Sequence, residues 1–225
     1  KVIKSYHHYH NNIDQKNIIT FEGAFHGRTF AALSAQQNEK YSKGFEPLLS
    51  GFIKIPFNDI EAVKKNVNKN TAAIMIEPIQ GEGGIRPANL KFLQDIKKIC
   101  EKNNLLLFLD EVQSGFGRSG KLFAHEWANC EPDIVATAKG IGSGFPMGAC
   151  LATNKASIAC LALFAAALQL SDLAFNVLDK DCKPASCPPE VIFPVISFFT
   201  LSLILGIANL LPKLDKIAEI LLSLK

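Results

Sequence analysis

Two residues of this sequence could do chemistry together, an acid at 110 and an amine at 139. Asp110 directly follows the apolar run Leu105, Leu106, Leu107, Phe108 and Leu109. It therefore emerges where a buried strand ends, and a carboxylate there needs a partner. A protonated ring nitrogen would serve; so would the backbone of the next loop, or solvent. Lys139 lies between a short apolar run, Ile134 to Ala136, and a turn that holds Gly140, Gly142 and Gly144. Glycine removes side-chain bulk and permits unusual backbone angles, so a lysine here can approach a bound molecule closely. A desolvated lysine near another cation gives up its proton more easily and can form a Schiff base. Taken alone, the same lysine reads as a surface residue. Residues 23–29 (GAFHGRT) and 77–84 (EPIQGEGG) also follow apolar runs, as 110–118 (DEVQSGFGR) does. In parallel α/β sheets ligands gather at the carboxyl ends of strands, so the three segments describe one site.

The elements that must position these residues can be read from pattern. Short apolar runs at 18–21, 52–56, 72–76, 105–109 and 134–136 alternate with amphipathic stretches, which is the signature of an α/β domain with a mainly parallel sheet flanked by helices. Leu90, Leu93, Ile96, Lys97 and Cys100 follow helical spacing. An earlier helix starts near Asn58 or Asp59, either of which can cap it, and runs through 63–67. Trp127 and Phe123 are expected in the core.

Composition bounds the function classes. A chain of 225 residues with 48% hydrophobic content can bury a sizeable core. The balance of 24 basic against 21 acidic residues, without a long basic block, argues against nucleic acid. Six scattered cysteines make no CxxC pair, so no zinc site is expected and most are read as reduced thiols of an intracellular protein. Cys182 and Cys187 are read as free thiols, or as a disulfide if the tail is extracytoplasmic. His7, His8 and His10 have no acidic or cysteine neighbour in sequence and read as a solvated helix end rather than a metal site. Residues 1–17 hold no apolar run, so no secretory leader is expected there.

The character changes after Lys155. Residues 156–171 and 191–212 carry no charge, and 179–190 between them is polar and proline-rich. The chain thus divides into an α/β part at 1–155 and an apolar helical tail at 156–225. The tail is either a pair of buried helices or, through 191–212, a membrane attachment, since a spanning helix needs ~20 mostly apolar residues.

The segments IITFEGAFHGRTFAALSA (18–35), YSKGFEPLLSG (41–51), TAAIMIEPIQGEGGI (71–85), LFLDEVQSGFGRSGKLF (107–123) and residues 132–153 closely resemble the class III aminotransferases of pyridoxal-phosphate (PLP) fold type I. Within that family they resemble most the members that act on N-acetylornithine. The resemblance covers residues 1–155 and implies a partial fold type I large domain. It implies that Asp110 keeps the pyridine nitrogen protonated and that Lys139 forms the cofactor Schiff base, then moves a proton. Gln113 would hydrogen-bond the ring's phenolic oxygen, with Glu111 and Val112 beside it, and Phe25 would stack on the ring with His26 adjacent. Ordinary core packing is the other reading of Phe25. Arg28 would take the substrate carboxylate, because guanidinium matches carboxylate with two prongs; a structural salt bridge is the alternative. Glu82 resembles the residue that pairs with a second arginine from a later part of the family's chain.

The implied activity is transfer of the terminal amino group of N-acetylornithine, or of a related ω-amine, to 2-oxoglutarate in arginine biosynthesis, by a cytoplasmic homodimer. The resemblance places the family's phosphate-cradling loop before Lys1, and residues after Lys155 do not resemble the family's continuation. A catalytically inactive fragment, membrane-attached through its tail, is therefore the competing expectation.

Overall fold

The computed structural model describes residues 1–157. Apart from Ala156 and Ser157, both apolar stretches of the tail, the intervening cysteines and the membrane question at 191–212 lie outside the described residues. Among the described residues no helix is long and apolar enough to cross a membrane.

All five strands expected from the sequence form: β1 (Asn17–Phe21), β2 (Phe52–Ile55), β3 (Thr71–Ile76), β6 (Leu106–Asp110) and β7 (Ile134–Ala138). They make one sheet with β8 (Gly148–Ala152), in the order β2-β1-β3-β6-β7-β8. Every pairing is parallel except β7 with β8, which is antiparallel. A small ribbon, β4 (Ile79–Gln80) with β5 (Arg86–Pro87), stands apart in the loop after β3. The helices are α1 (Val2–Tyr9), α2 (Phe30–Gln36), α3 (Glu39–Ser42), α4 (Ile60–Asn66) and α5 (Leu90–Lys102).

Because side chains alternate across a strand, each central strand feeds two cores. Ile19, Phe21, Ile74, Ile76, Leu107 and Leu109 face one side and pack with Val63 of α4 and Phe92, Leu93, Ile96 and Cys100 of α5. Ile18, Ala73, Leu106 and Ile134 face the other and pack with Ile3 and Tyr6 of α1. Burying strands on both faces is what a parallel sheet requires, and it explains their continuous apolar runs. The buried stripe of α5 differs in detail from its sequence pattern: Leu90, in its first turn, is half exposed, and Phe92 takes a core place instead. Asp59, one of the two expected caps, accepts the N–H groups of Glu61 and Ala62 at 3.0 and 2.9 Å.

Two side chains sit where their sequence context did not put them. His7 is buried rather than solvated: its Nε2 lies 2.9 Å from the carbonyl oxygen of Ala72, beneath β3. Burial pushes its pKa down, with the hydrogen bonds to Ala72 and Gln15 opposing that. Trp127 is 50% exposed rather than core. Its Nε1 donates to the Ser119 carbonyl at 3.0 Å, and the Lys121 ammonium lies 4.7 Å from the ring centre.

Asp133 ties β6 to β7 from their starting ends. Its Oδ2 accepts the Leu107 N–H at 2.9 Å, and its own N–H donates to the Leu107 carbonyl at 2.9 Å. In Asp133→Ala the buried Leu107 N–H loses its acceptor, and the urea midpoint should fall by an amount equivalent to about 2 kcal/mol.

Candidate active site

The carboxyl ends of β1, β3, β6 and β7 point the same way, and the chemistry gathers there. Asp110 ends β6 and is paired in register with Ala136 of β7. Lys139 follows β7 directly, so acid and amine leave neighbouring strands on one edge of the sheet. Asp110 is 7% exposed. Its Oδ2 lies 2.7 Å from His26 Nδ1, and its Oδ1 accepts the Val112 N–H at 3.2 Å. That leaves acceptor capacity on a carboxylate that can take about four hydrogen bonds. Lys139 is exposed and opens a 3-10 turn, Lys139–Gly142, with a backbone φ of 48°. A lysine in the left-handed region is held there by its surroundings and carries strain.

The loop after β1 brings three more of the expected residues. His26 has its ring almost wholly covered, at 1% exposure, and its N–H donates to Gln36 Oε1 of α2 at 2.9 Å. His26 Nε2 is buried without a partner among the described residues. Phe25 is half-buried and meets Tyr41 edge to face, with ring centres 5.4 Å apart. Arg28 is exposed, with its guanidinium 5.0 Å from the centre of the same Tyr41 ring. Among the described residues no carboxylate forms a salt bridge with it.

Gln113 and Glu82 also meet: the Gln113 amide donates to Glu82 Oε1 at 3.4 Å across the mouth of the site. Glu111 behaves differently from its neighbours. The sequence grouped it with the ring contacts, yet its carboxylate is fully buried and turned into the 114–125 loop. There it accepts from Ser114 Oγ (2.6 Å), Ala124 N–H (2.9 Å), His125 N–H (2.9 Å) and His125 Nδ1 (2.9 Å). Burial pushes this carboxyl up, but the hydrogen bonds from His125, Ser114 and the two backbone groups outweigh it and hold it below the usual range.

A family model for class III aminotransferases matches residues 1–162. The chain belongs to that family. Among curated relatives it is 52% identical over 158 residues to the acetylornithine aminotransferase of Mesorhizobium japonicum, covering 70% of this chain and 40% of the relative. It is 53% identical over 157 residues to that of Brucella suis, covering 70% and 39%. Among solved structures, ornithine aminotransferase from Toxoplasma gondii superposes with a TM-score of 0.67 at 28% identity, covering 70% of this chain and 38% of that one. N-acetylornithine aminotransferase from Stenotrophomonas maltophilia gives 0.58 at 37% identity, over 70% and 38%. This class III chain thus spans about 40% of the length of the curated relatives it matches.

The cofactor such a family implies can be tested against these residues, and they fit it. A buried acid with free acceptor capacity suits a protonated ring nitrogen, a half-buried aromatic suits a ring face, and an amine stands at the next strand end.

One member of this class III site was not singled out from the sequence. Glu77 follows β3 as Asp110 follows β6, and the register Ile76↔Leu109 places it beside Asp110. The same signal, a carboxylate directly after a buried apolar run, could have found it. Glu77 is 3% exposed, and its Oε2 accepts the Phe25 N–H at 2.9 Å, which fixes the loop that carries Phe25 and His26. Burial raises its pKa to about 7, with the Phe25 N–H and His26 pulling it down and Asp110 pushing it up. Tyr41, between Phe25 and Arg28, had no local signal.

A folded pKa raised above the ordinary 4.5 means that Glu77 favours the fold while protonated in both states. That contribution is lost as pH climbs from about 4.5 through about 7. Glu77→Gln keeps an acceptor for Phe25 and cannot ionise. The stability of the variant minus that of wild type, from urea unfolding, should therefore rise by about 3 kcal/mol across that window.

Proposed function

We propose that this chain acts as a PLP-dependent aminotransferase, moving the terminal amino group of N-acetylornithine or a related ω-amine to 2-oxoglutarate. The single observation that carries the reading is the placement of Asp110 and Lys139 at the carboxyl ends of two paired strands in a class III chain. The names of the relatives support the amino donor, since those matched at about half identity are acetylornithine aminotransferases. With N-acetylornithine as donor, the reaction would belong to arginine biosynthesis in the cytoplasm.

When bound, PLP supplies an electron sink that stabilises negative charge on the carbon bearing the amino group. The protein's own residues do the rest. Asp110, aimed by the His26 imidazole and the Val112 N–H, would hold a proton on the pyridine nitrogen. Lys139 Nζ would carry the cofactor and, once displaced by the amino donor, move the substrate proton as base and then acid. Phe25, braced by Glu77 and Tyr41, would lie against the ring, and Gln113 would reach its phenolic oxygen. Arg28 has its guanidinium on Tyr41 and would bind a carboxylate in two-pronged fashion. Glu82, held by Gln113, would modulate which of two substrates is accepted. The working assembly is read as a homodimer, and the exposed Phe116, Leu122, Phe145 and Met147 give such an assembly apolar surface to bury.

Purified 225-residue protein mixed with PLP should develop a visible absorbance band that borohydride fixes onto Lys139. The Lys139→Ala variant should lose both band and label. Wild-type protein that never shows the band would sink this reading.

A further inference from the structure

The hydrogen bonds to the Glu111 carboxylate come from Ser114, Ala124 and His125, which makes it the most heavily hydrogen-bonded carboxylate beside the site. We propose that Glu111 is a positioning residue for Lys139: its carboxylate clamps the 114–125 loop, and that loop is the wall on which the Lys139 turn rests. The proposal builds on the reading of Lys139 as the amine that carries the cofactor.

The contact between loop and turn is close enough to transmit position. A β-carbon at Gly115 would lie 2.8 Å from the Glu111 carbonyl oxygen and 3.2 Å from Thr137 Oγ1, so the loop is pressed onto β7 just before Lys139. A β-carbon at Gly140 would lie 3.1 Å from Phe116 Cβ, so the turn is pressed onto the loop just after Lys139. The lysine's left-handed backbone is thus held from both sides by a loop with one buried anchor. Backbone strain of this kind persists only where the surroundings over-determine it.

The anchor has to be a carboxylate. One oxygen, Oε2, faces the Ala124 N–H, and the other, Oε1, faces the His125 N–H. Both are main-chain donors whose direction cannot be reversed. A glutamine of the same volume offers one acceptor oxygen and one NH2, so it leaves one buried N–H facing another donor whichever way it is turned. The Ser114 hydroxyl can rotate and the His125 ring can change tautomer, so neither sets this requirement.

The test is hydrogen exchange of the cofactor-free chain, which needs no activity. In Glu111→Gln, amides in 114–125 and in 139–145 should exchange about tenfold faster, while β1 and β3 keep their protection, as expected from loss of one satisfied buried donor. His125→Ala, which removes the ring donor and its stacking on Phe123 but keeps the His125 N–H, should show a smaller acceleration in the same two segments and covers the case in which Glu111→Gln does not fold. Val63→Ala, a buried change in α4, serves as a control that lowers global stability without touching the loop.

An open loop with unchanged exchange at 139–145 would overturn the proposal. So would no acceleration in either segment, or an equal acceleration in Val63→Ala. In a second arm with PLP, borohydride-fixed labelling of Lys139 should slow by a similar factor in Glu111→Gln, and equal rates would also count against it. If wild-type protein takes up no PLP, the functional reading fails while the exchange data still decide the clamp.

Discussion

A carboxylate at the end of an apolar strand is tolerable only if donors are waiting for it, and in this fold three such carboxylates set the terms for everything around them. Glu77, Asp110 and Glu111 all emerge from the centre of the sheet, all are nearly or fully buried, and each recruits a different set of donors. Asp110 takes His26 and the Val112 N–H, Glu77 takes the Phe25 N–H, and Glu111 takes four groups of the 114–125 loop. Loops that would otherwise have no fixed course are thereby tied to the rigid sheet.

The division of labour follows from how many donors each acid finds. With four, Glu111 is saturated and becomes purely architectural. With one main-chain donor and a neighbouring acid, Glu77 cannot afford full charge near neutrality, so its burial dominates. Asp110 lies between these cases, with two donors and room for another partner.

Much of this was legible in the sequence, and the failures have physical reasons. The five parallel strands announce themselves because burial on both faces makes them continuous apolar runs. β8 was not expected as a separate strand: its residues are only half-buried and show no alternation, as befits an edge. Asp110, Lys139, His26 and Phe25 were singled out through motif and resemblance together. Glu111 was read as a ring contact, and its carboxylate turns instead into the 114–125 loop, because which way a strand-end side chain turns depends on a loop folded back from residues 124 and 125. His7 and Trp127 failed for opposite reasons. The partner of His7 is 65 residues away and left no local trace. Trp127 finds its cover in Ser119 and Lys121, so it needs no core to satisfy it.

The reversed direction of β8 also bears on where Lys139 sits. Parallel neighbours are joined by long excursions that tolerate slack, whereas β7 and β8 form a hairpin in which Ala138 faces Gly148. The turn that carries Lys139 is therefore gripped at both of its roots by the same ladder. A slip of that ladder by one residue would turn every side chain of β8 to the opposite face of the sheet and drag the amine along the edge with it. Register thus fixes where Lys139 leaves the sheet relative to Asp110.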